Sequence, residues 1–189
     1  MKRSWEGAVL KVFGAKDFSL SVTGREQINP NFVRIHVDGG SLLDDCGVHP
    51  TMWIRLWFDD DGRPHQRAFT LVDPSPVAGT FSLDFALHEG RAADWARRAR
   101  AGDTIGATVQ GSRFELPRPA PRAVHVVGDP ASIPAINSLL DALGGAPATI
   151  WLEYIHEEDC GLPLRTRSVP WDTGGRNSRG GCRAAVAIA

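Results

Sequence analysis

The sequence lacks the features that mark secreted, membrane-spanning or nucleic-acid-binding proteins. Its 189 residues include three cysteines, whose wide spacing gives neither a disulfide framework nor a CxxC metal motif. The net charge of −1 gives no electrostatic reason to expect a nucleic-acid or anionic-membrane partner. No apolar run approaches the length of a membrane span, and the first residues lack the apolar segment of a signal peptide. These absences predict a cytoplasmic protein.

Several catalytic and binding signatures are also missing. The six histidines are dispersed, and no Ser-His-Asp arrangement can be argued from their spacing. The run from His156 to Cys160 has no second cluster that would complete a metal site, so a solvated loop is expected there. The segment that begins at Gly128 is not GxGxxG, the standard dinucleotide fingerprint. We therefore assign no residue a catalytic or metal-ligating role.

The first 117 residues alternate apolar and polar side chains with the period of β-strands. In TFSLDFALH, for example, Phe81, Leu83 and Phe85 fall on one face and their polar neighbours on the other. Similar runs are FVRIHV, WIRLWF and IGATVQ, and turn signals such as Asp60-Asp61-Gly62 separate them. Many short strands at this spacing predict an antiparallel barrel or sandwich.

A short helix interrupts these strands. In RAADWARRARAGD, apolar residues recur with helical spacing, and Gly90 and Gly102 can begin and end the helix. The apolar positions are Ala92, Trp95, Ala96 and Ala99. The N-terminus of such a helix offers free N–H groups and a positive dipole end, which suit a pyrophosphate. The alternative is a helix that simply closes one end of the barrel.

A different pattern follows the proline-rich link LPRPAPR, which marks a domain boundary. AVHVV is a short buried strand, residues 132–143 have helical periodicity, and ATIWLEYI is a second strand. This order predicts a parallel α/β layer, whose loop after the first strand is a usual ligand position. Ser132 in that loop is explained equally well as a helix N-cap. Two strands and one helix are too few for a complete doubly wound sheet.

The chain therefore divides into three predicted regions. Residues 1–117 are expected to form the antiparallel β-barrel, and residues 118–171 a partial α/β domain. Residues 172–189 are rich in glycine and arginine, and we predict that most of them are disordered.

The strand HQRAFTLVDPSP carries a charge, a ring and a hydroxyl in close succession. With a period of two, Arg67 and Phe69 share one face and Thr70 lies on the other. Taken alone, these residues favour an edge strand with a snorkelling arginine. The alternative is a cofactor strand, in which the arginine binds a phosphate, the ring a flat heterocycle and the hydroxyl a ring heteroatom.

Three segments, in this order along the chain, resemble one family. Arg67-Ala68-Phe69-Thr70 resembles the R-x-Y-[ST] flavin motif of ferredoxin-reductase-like barrels. Residues 85–114 resemble the lHG-GPAs-WA-GD-i-PrG-f stretch of the siderophore-interacting proteins, which are FAD-dependent ferric-siderophore reductases. Residues 126–143 resemble the vGDETALPAI segment that opens the nicotinamide-nucleotide domain of that family. The resemblance extends over roughly residues 8–171.

The resemblance implies a six-stranded antiparallel FAD-binding barrel followed by an α/β domain that binds NADPH or NADH. It implies that Arg67 pairs with the FAD pyrophosphate, that Phe69 packs on the flavin and that Thr70 reaches the isoalloxazine edge. The other residues implied in cofactor binding are His88, Ala92, Ala93, Trp95, Asp129 and Ser132. By this resemblance, His88, Ala92 and Ala93 line the phosphate path, and Trp95 lies behind them. Asp129 and Ser132 face the flavin from the second domain.

Several positions depart from the family pattern. Phe69 stands where tyrosine is usual, Val72 where a second arginine is common, Arg91 where the family has proline, and Ala93 where it has serine. Phe69 retains the stacking surface of tyrosine but lacks its hydroxyl group. Ala93 lacks the hydroxyl group of the serine that the family has at that position. FAD binding therefore remains the expectation.

The resemblance also implies an activity, namely passage of electrons from NAD(P)H through FAD to Fe(III) held by a siderophore. We expect a ferric siderophore as the small-molecule substrate, no nucleic-acid partner, no integral membrane segment and a monomeric protein. The second domain of the family continues past the position of Trp171, so a truncation near Asp172 is expected. Two alternatives follow: a flavin-binding remnant without a competent NAD(P)H site, and a flavin or quinone reductase of the same architecture.

Overall fold

The computed structural model describes residues 15–60, 62–110, 114–165 and 182–188, with residue 60 and the last segment described by backbone alone. Its first unit is a closed antiparallel barrel with the strand order β1-β2-β5-β4-β3-β6. The strands are β1 (Lys16–Asn29), β2 (Phe32–Asp38), β3 (Trp53–Asp60), β4 (Arg63–Ser75), β5 (Thr80–Ala86) and β6 (Thr104–Val109). The predicted six-stranded antiparallel barrel is confirmed.

The barrel core follows the alternation of the sequence. Phe81, Leu83 and Phe85 of β5 are at most 3% exposed and pack inside the barrel. A short helix, α1 (Leu42–Cys46), adds Leu42 and Leu43 to this core. Five residues are too few to give a helical period, which is why the sequence did not reveal α1.

The predicted helix between the last two barrel strands is present as α2 (Arg91–Arg98). Its apolar face joins the barrel core through Ala96, and Trp95 packs against Phe58 and Phe85, which lie near the C-terminal ends of β3 and β5. The helix therefore covers one end of the barrel. Its N-terminus is thereby held beside the strand that carries Arg67.

The second unit is a three-stranded sheet with one helix. Strand β7 (Val124–Gly128) pairs in parallel with β8 (Ala148–Tyr154), and α3 (Ile133–Leu143) connects them. A short 3-10 helix, Pro130–Ser132, precedes α3. This β-α-β arrangement confirms the predicted partial α/β domain. The longest described helix is α3 with 11 residues, and none of the described helices has the length and hydropathy needed to cross a bilayer.

The third strand of this sheet lies in the C-terminal region, most of which was predicted to be disordered apart from a few final apolar residues. Residues 182–188 form β9 (Cys182–Ile188), which pairs antiparallel with β8 along its whole length. A strand edge offers unpaired N–H and C=O groups that can bind any extended backbone, and this pairing needs little pattern in the side chains. Residues 172–181 and 189 lie outside the described residues, and the boundaries at 117 and 171 stay predictions.

Several contacts join the barrel to the second unit, including that of Asn29 of β1 with Asp159. Phe32 of β2 is fully buried among apolar residues of the second unit, including Ile133 and Ile150. The backbone N–H of Thr51 donates to Ser138 Oγ of α3 at 2.8 Å. Arg165 forms ion pairs with Asp73 of β4 and Asp141 of α3. These contacts hold the loop after β7 against the side of the barrel that carries β4.

Candidate functional site

A cavity of about 490 Å³ opens between β4, the N-terminus of α2 and the beginning of α3. Its volume is in the range of about 300–1,000 Å³ that is usual for small-molecule sites. Six of the nine residues predicted from the sequence line it: Arg67, Phe69, Thr70, His88, Ala92 and Ala93. The structure therefore brings the motif strand and the helix start together around one space, which we call the central cavity.

Arg67 supplies the cationic group of the central cavity. It is exposed, and its Nη1 donates to the carbonyl of the neighbouring Gln66 at 2.9 Å. Within the described part of the chain, no carboxylate forms a salt bridge with it. A guanidinium presents five N–H donors in a planar fork, so Arg67 keeps donors for a phosphate.

Phe69 supplies a supported aromatic surface. The centroid of its ring lies 4.3 Å from the ring centroid of Phe85 and 6.2 Å from that of Phe58, and both of these residues belong to the barrel core. The ring is half-buried, and it also lines the central cavity. Because the core contacts restrain the ring, a flat ligand packing on it would cost little conformational entropy.

The N-terminus of α2 provides backbone donors at the edge of the central cavity. Gly90 is the N-cap residue and has a φ of 134°, a conformation that favours glycine. No side chain caps this described helix end, and the N–H groups of a first helical turn, which have no intrahelical acceptor, are donors of the type that binds an anion. The small side chains of Ala92 and Ala93 leave room for close approach. His88 lies beside them and donates through Nδ1 to the carbonyl of Glu89 at 2.6 Å.

The remaining three predicted residues do not line the central cavity. Trp95 lines a neighbouring cavity of about 390 Å³, and Asp129 lines a third of about 270 Å³. Ser132 lines none of these three, because its Oγ donates to Asp129 Oδ1 at 2.6 Å and its backbone N–H donates to the same oxygen at 2.9 Å. Asp129 and Ser132 therefore form a capping box, in which Asp129 is the N-cap residue of the 3-10 helix, whereas Ser132 precedes α3 without a side-chain cap bond to it. The second unit reaches the central cavity through Ala131 and Pro134 instead.

Gly128 explains how the loop after β7 comes so close to α3. A Cβ at this position would lie 2.8 Å from Ser132 Cβ and 3.0 Å from Ile136 Cδ1. Such distances are too short for any larger residue unless the helix shifts. The glycine is therefore required for close packing of β7 on α3, which sets where Ala131 lies.

Sequence reasoning missed a buried ion pair at the wall of the central cavity. Asp84 of β5 lines the cavity and accepts from Arg34 Nε at 2.7 Å and from Arg34 Nη2 at 2.8 Å. The hydrogen bond to Asp84 raises the pKa of Arg34 further above its usual value. The two residues are direct cross-strand partners in β2 and β5. Opposite charges on two predicted strands were visible in the sequence, but only the strand register pairs them.

The third cavity has a buried carboxylate at its edge. Asp159 is 6% exposed and accepts from Asn29 Nδ2 at 3.1 Å. Burial raises the pKa of Asp159, although the Asn29 hydrogen bond acts in the opposite direction. The folded protein therefore holds this proton more tightly than the unfolded chain does. The contribution of Asp159 to stability falls as the pH rises from about 4 through its folded pKa.

We expect Asp159→Asn to be more stable than the wild type at pH 7, with a difference that shrinks as the pH is lowered toward 3. Asparagine keeps an oxygen for Asn29 but carries no charge to bury, so it lacks the decline with pH. Urea denaturation of both proteins across this range measures the difference, and Glu115→Gln serves as the exposed-carboxylate control. A difference that grows toward acid pH would contradict the assignment.

Residues 46–111, which include Arg67 and all of α2, match the family model of the siderophore-interacting FAD-binding domain. This segment of the chain is similar to that domain. The match and the closed barrel support an FAD-binding fold.

Curated relatives and solved structures agree with this assignment. The mycobactin import ATP-binding/permease protein IrtA of Mycolicibacterium thermoresistibile is 39% identical over 174 residues, which are 87% of this chain and 19% of that protein. This chain thus spans about a fifth of the length of the curated relatives that it matches. The siderophore-interacting protein from Acinetobacter baumannii has a TM-score of 0.68 and 25% identity, with 79% of this chain and 64% of that chain covered.

A ferredoxin NADP+ reductase from Neisseria gonorrhoeae, solved with bound FAD and NADP, shares the fold. Its TM-score is 0.55 at 18% identity, and the match covers 67% of this chain and 51% of that chain. The similarity extends the fold assignment to the ferredoxin-reductase-like proteins.

Proposed function

We propose that this chain is a flavin-dependent reductase that uses FAD to pass electrons from NAD(P)H to Fe(III) held by a siderophore. One observation carries the flavin part of the proposal. Arg67, the ring of Phe69 and the N-terminus of α2 line one cavity in a segment similar to the siderophore-interacting FAD-binding domain.

The central cavity fits a flavin nucleotide in its chemistry. The Arg67 guanidinium and the first N–H groups of α2 bind the pyrophosphate, because both present donors and positive charge to an anion. Phe69 supports one surface of the isoalloxazine ring. Thr70, which is half-buried at the wall of the cavity, provides a hydroxyl for the polar edge of that ring.

The chemistry supplied by such a cofactor is the conversion of a hydride, which carries two electrons, into single electrons that Fe(III) can accept. The protein itself binds and orients the reactants. Hard oxygen donors hold Fe(III) better than Fe(II), so reduction loosens the metal from its carrier. A siderophore as the carrier is supported by the names of the related proteins, one of which refers to siderophore interaction and another to mycobactin import.

The second unit is our candidate for the nicotinamide nucleotide. The loop after β7 follows the C-terminal end of a parallel strand, the usual ligand position in α/β sheets, and Ala131 brings it to the central cavity. The bound NADP of the gonococcal reductase supports the same type of donor.

The proposal is tested by a flavin spectrum followed by anaerobic reduction. Purified protein incubated with FAD should retain a protein-bound flavin spectrum, and NADPH or NADH should bleach it. Addition of ferric mycobactin should then restore the oxidised spectrum and release iron to an Fe(II)-specific chelator. Absence of bound flavin would defeat the proposal.

Two other outcomes would favour an alternative to the proposed ferric-siderophore reductase. Bleaching by dithionite but by neither nucleotide would indicate a flavin-binding domain without its own NAD(P)H site. Faster reoxidation by free flavin or quinone than by ferric mycobactin would indicate a different acceptor.

A further inference from the structure

A narrow cleft, which we call the inter-unit cleft, separates the end of β4 from α3. It has a volume of about 60 Å³ and is lined by the end of β4, by one face of α3 and by Arg165. Pro134 of α3 lines both this cleft and the central cavity, and the same is true of two consecutive residues of β4, since Thr70 lines the cavity and Leu71 the cleft. A change in the spacing between β4 and α3 at the cleft therefore also moves a wall of the central cavity.

One face of α3 is bonded to the segment that carries Arg165. Asn137 is 8% exposed and donates through Nδ2 to the carbonyl of Pro163 at 2.7 Å. Its Oδ1 accepts from the backbone N–H of Arg165 at 2.7 Å. Asp141, one turn further along the same face, accepts from Nη1 of Arg165. Both the backbone and the side chain of Arg165 are thus fixed on the second unit.

The other edge of the same guanidinium reaches the barrel. Nη2 of Arg165 donates to Oδ1 of Asp73 in β4, and this hydrogen bond is the main cause that raises the pKa of Arg165 above its usual value. A guanidinium is a rigid planar fork, so a carboxylate on each of its edges has a defined direction and distance. Arg165 therefore links Asp141 to Asp73 at a fixed separation across the cleft.

This link affects geometry more than stability. The Arg165 side chain is 42% exposed, and those of Asp73 and Asp141 are 55% and 52% exposed. Ion pairs at such exposed positions contribute little to the free energy of unfolding, because water screens them. The position of α3 relative to β4 is therefore the property that depends on Arg165.

We propose that Arg165 is a positioning residue for the reduction of the flavin by NAD(P)H. In that step one hydride, with its two electrons, moves from the reduced nicotinamide to the oxidised flavin. The reacting atoms must approach to about 3–3.5 Å, so a small displacement of the cavity wall formed by Ala131 and Pro134 slows the step. The inference rests on the proposed function, because it assumes a flavin in the central cavity and a nucleotide at the loop after β7.

The first test measures the rate at which a nicotinamide nucleotide bleaches the flavin of the FAD-loaded protein under anaerobic conditions. At saturating NADPH or NADH, Arg165→Gln and Asp73→Asn should each lower this rate by about 10-fold, since a misplacement of about 1 Å can cost up to about 100-fold. Asparagine is suitable at position 73, where φ is 48°. The dissociation constant of FAD and the rate of bleaching by dithionite should stay unchanged.

Two further variants control this measurement. Arg122→Gln replaces an exposed arginine just before β7 that does not line the cleft, and it should be reduced at the wild-type rate. The double variant Arg165→Gln/Asp73→Asn should be no slower than either single variant, because both substitutions remove the same link. A further 10-fold loss in the double variant would show that the two residues act independently and would overturn the inference.

The second test uses the protein without cofactor. The backbone N–H of Thr51 donates to Ser138 Oγ of α3, so its hydrogen exchange reports on the contact between the barrel and α3. Nuclear magnetic resonance should show this exchange to be about two- to fivefold faster in Arg165→Gln, the factor expected for loss of an exposed ion pair. The backbone N–H of Leu71, which donates to the carbonyl of Met52 within the barrel, should exchange at an unchanged rate.

The outcomes separate this inference from the proposed function. Reduction of Arg165→Gln by the nucleotide at the wild-type rate would overturn the inference and leave the proposed function intact, and so would unchanged exchange of Thr51. Weaker FAD binding by Arg165→Gln would also overturn it, because the residue would then support the flavin site itself. If neither nucleotide bleaches the wild-type flavin, the nicotinamide part of the proposed function fails together with this inference.

Discussion

Replacement of Arg67 by alanine should weaken FAD binding by about 10- to 100-fold. Hydrogen bonds between charged groups contribute about 1.5–3 kcal/mol, and each 1.4 kcal/mol corresponds to a factor of ten in affinity. Arg67 has the geometry for such bonds, because it is exposed, lines the central cavity and has no described carboxylate to neutralise it. Equilibrium titration with FAD measures the change.

Two further variants sharpen the Arg67 experiment. Arg67→Lys keeps the charge but loses the planar fork, so it should recover part of the affinity. Arg63→Ala removes an exposed arginine from the beginning of the same strand, outside the central cavity, and should bind FAD like the wild type. An Arg67→Ala protein with wild-type affinity would show that Arg67 does not contact the cofactor and would favour the edge-strand alternative.

The largest effect on stability is expected from Asp84→Ala, which should lower the free energy of unfolding by about 3–5 kcal/mol. The Asp84 side chain is 1% exposed and that of Arg34 is 18% exposed, so removal of the carboxylate leaves a guanidinium charge largely buried without its partner. The loss comes mainly from that uncompensated charge. Urea denaturation, monitored by tryptophan fluorescence, measures this loss in the free energy of unfolding.

The neighbouring cross-strand pair supplies the control. His36 and Ser82 join the same two strands through a hydrogen bond of 2.9 Å between Nδ1 and Oγ. Ser82→Ala removes this hydrogen bond, whose groups can bond to water instead because they are more exposed than Asp84. We expect the variant to lower the free energy of unfolding by about 1 kcal/mol. The double variant Arg34→Met/Asp84→Leu should regain most of the stability lost in Asp84→Ala, because it leaves no buried charge. If Asp84→Ala lowers the free energy of unfolding no more than Ser82→Ala does, the Arg34 charge is not destabilising without its partner, and the expectation is contradicted.

The site was predictable in part because its two main components are local. The strand around Arg67 and the helix that begins at Arg91 each have a recognisable pattern, and closure of the barrel necessarily brings the ends of its strands together. In the second unit, Asp129 and Ser132 were predicted to face the flavin, and this stays a prediction. The two residues bond to each other, and Ala131 and Pro134 line the central cavity. Small displacements of the loop at residues 129–134 decide which of its side chains reach the central cavity. The periodicity of the sequence gives no information on such displacements.

Alternation of side chains, turn signals and a single short helix predicted an antiparallel barrel or sandwich, the β-α-β order and the strand that carries Arg67, and the family resemblance then implied the six-stranded barrel. These features depend on interactions between residues close in sequence, where the backbone period dictates which side chains share a face. Only the tertiary structure decided the Arg34–Asp84 pair, the pairing of β9 with β8 and the meeting of β4, α2 and α3 around the central cavity. Each of these depends on strand register or on packing between distant segments. No local pattern encodes them, because many registers and packings share the same alternation.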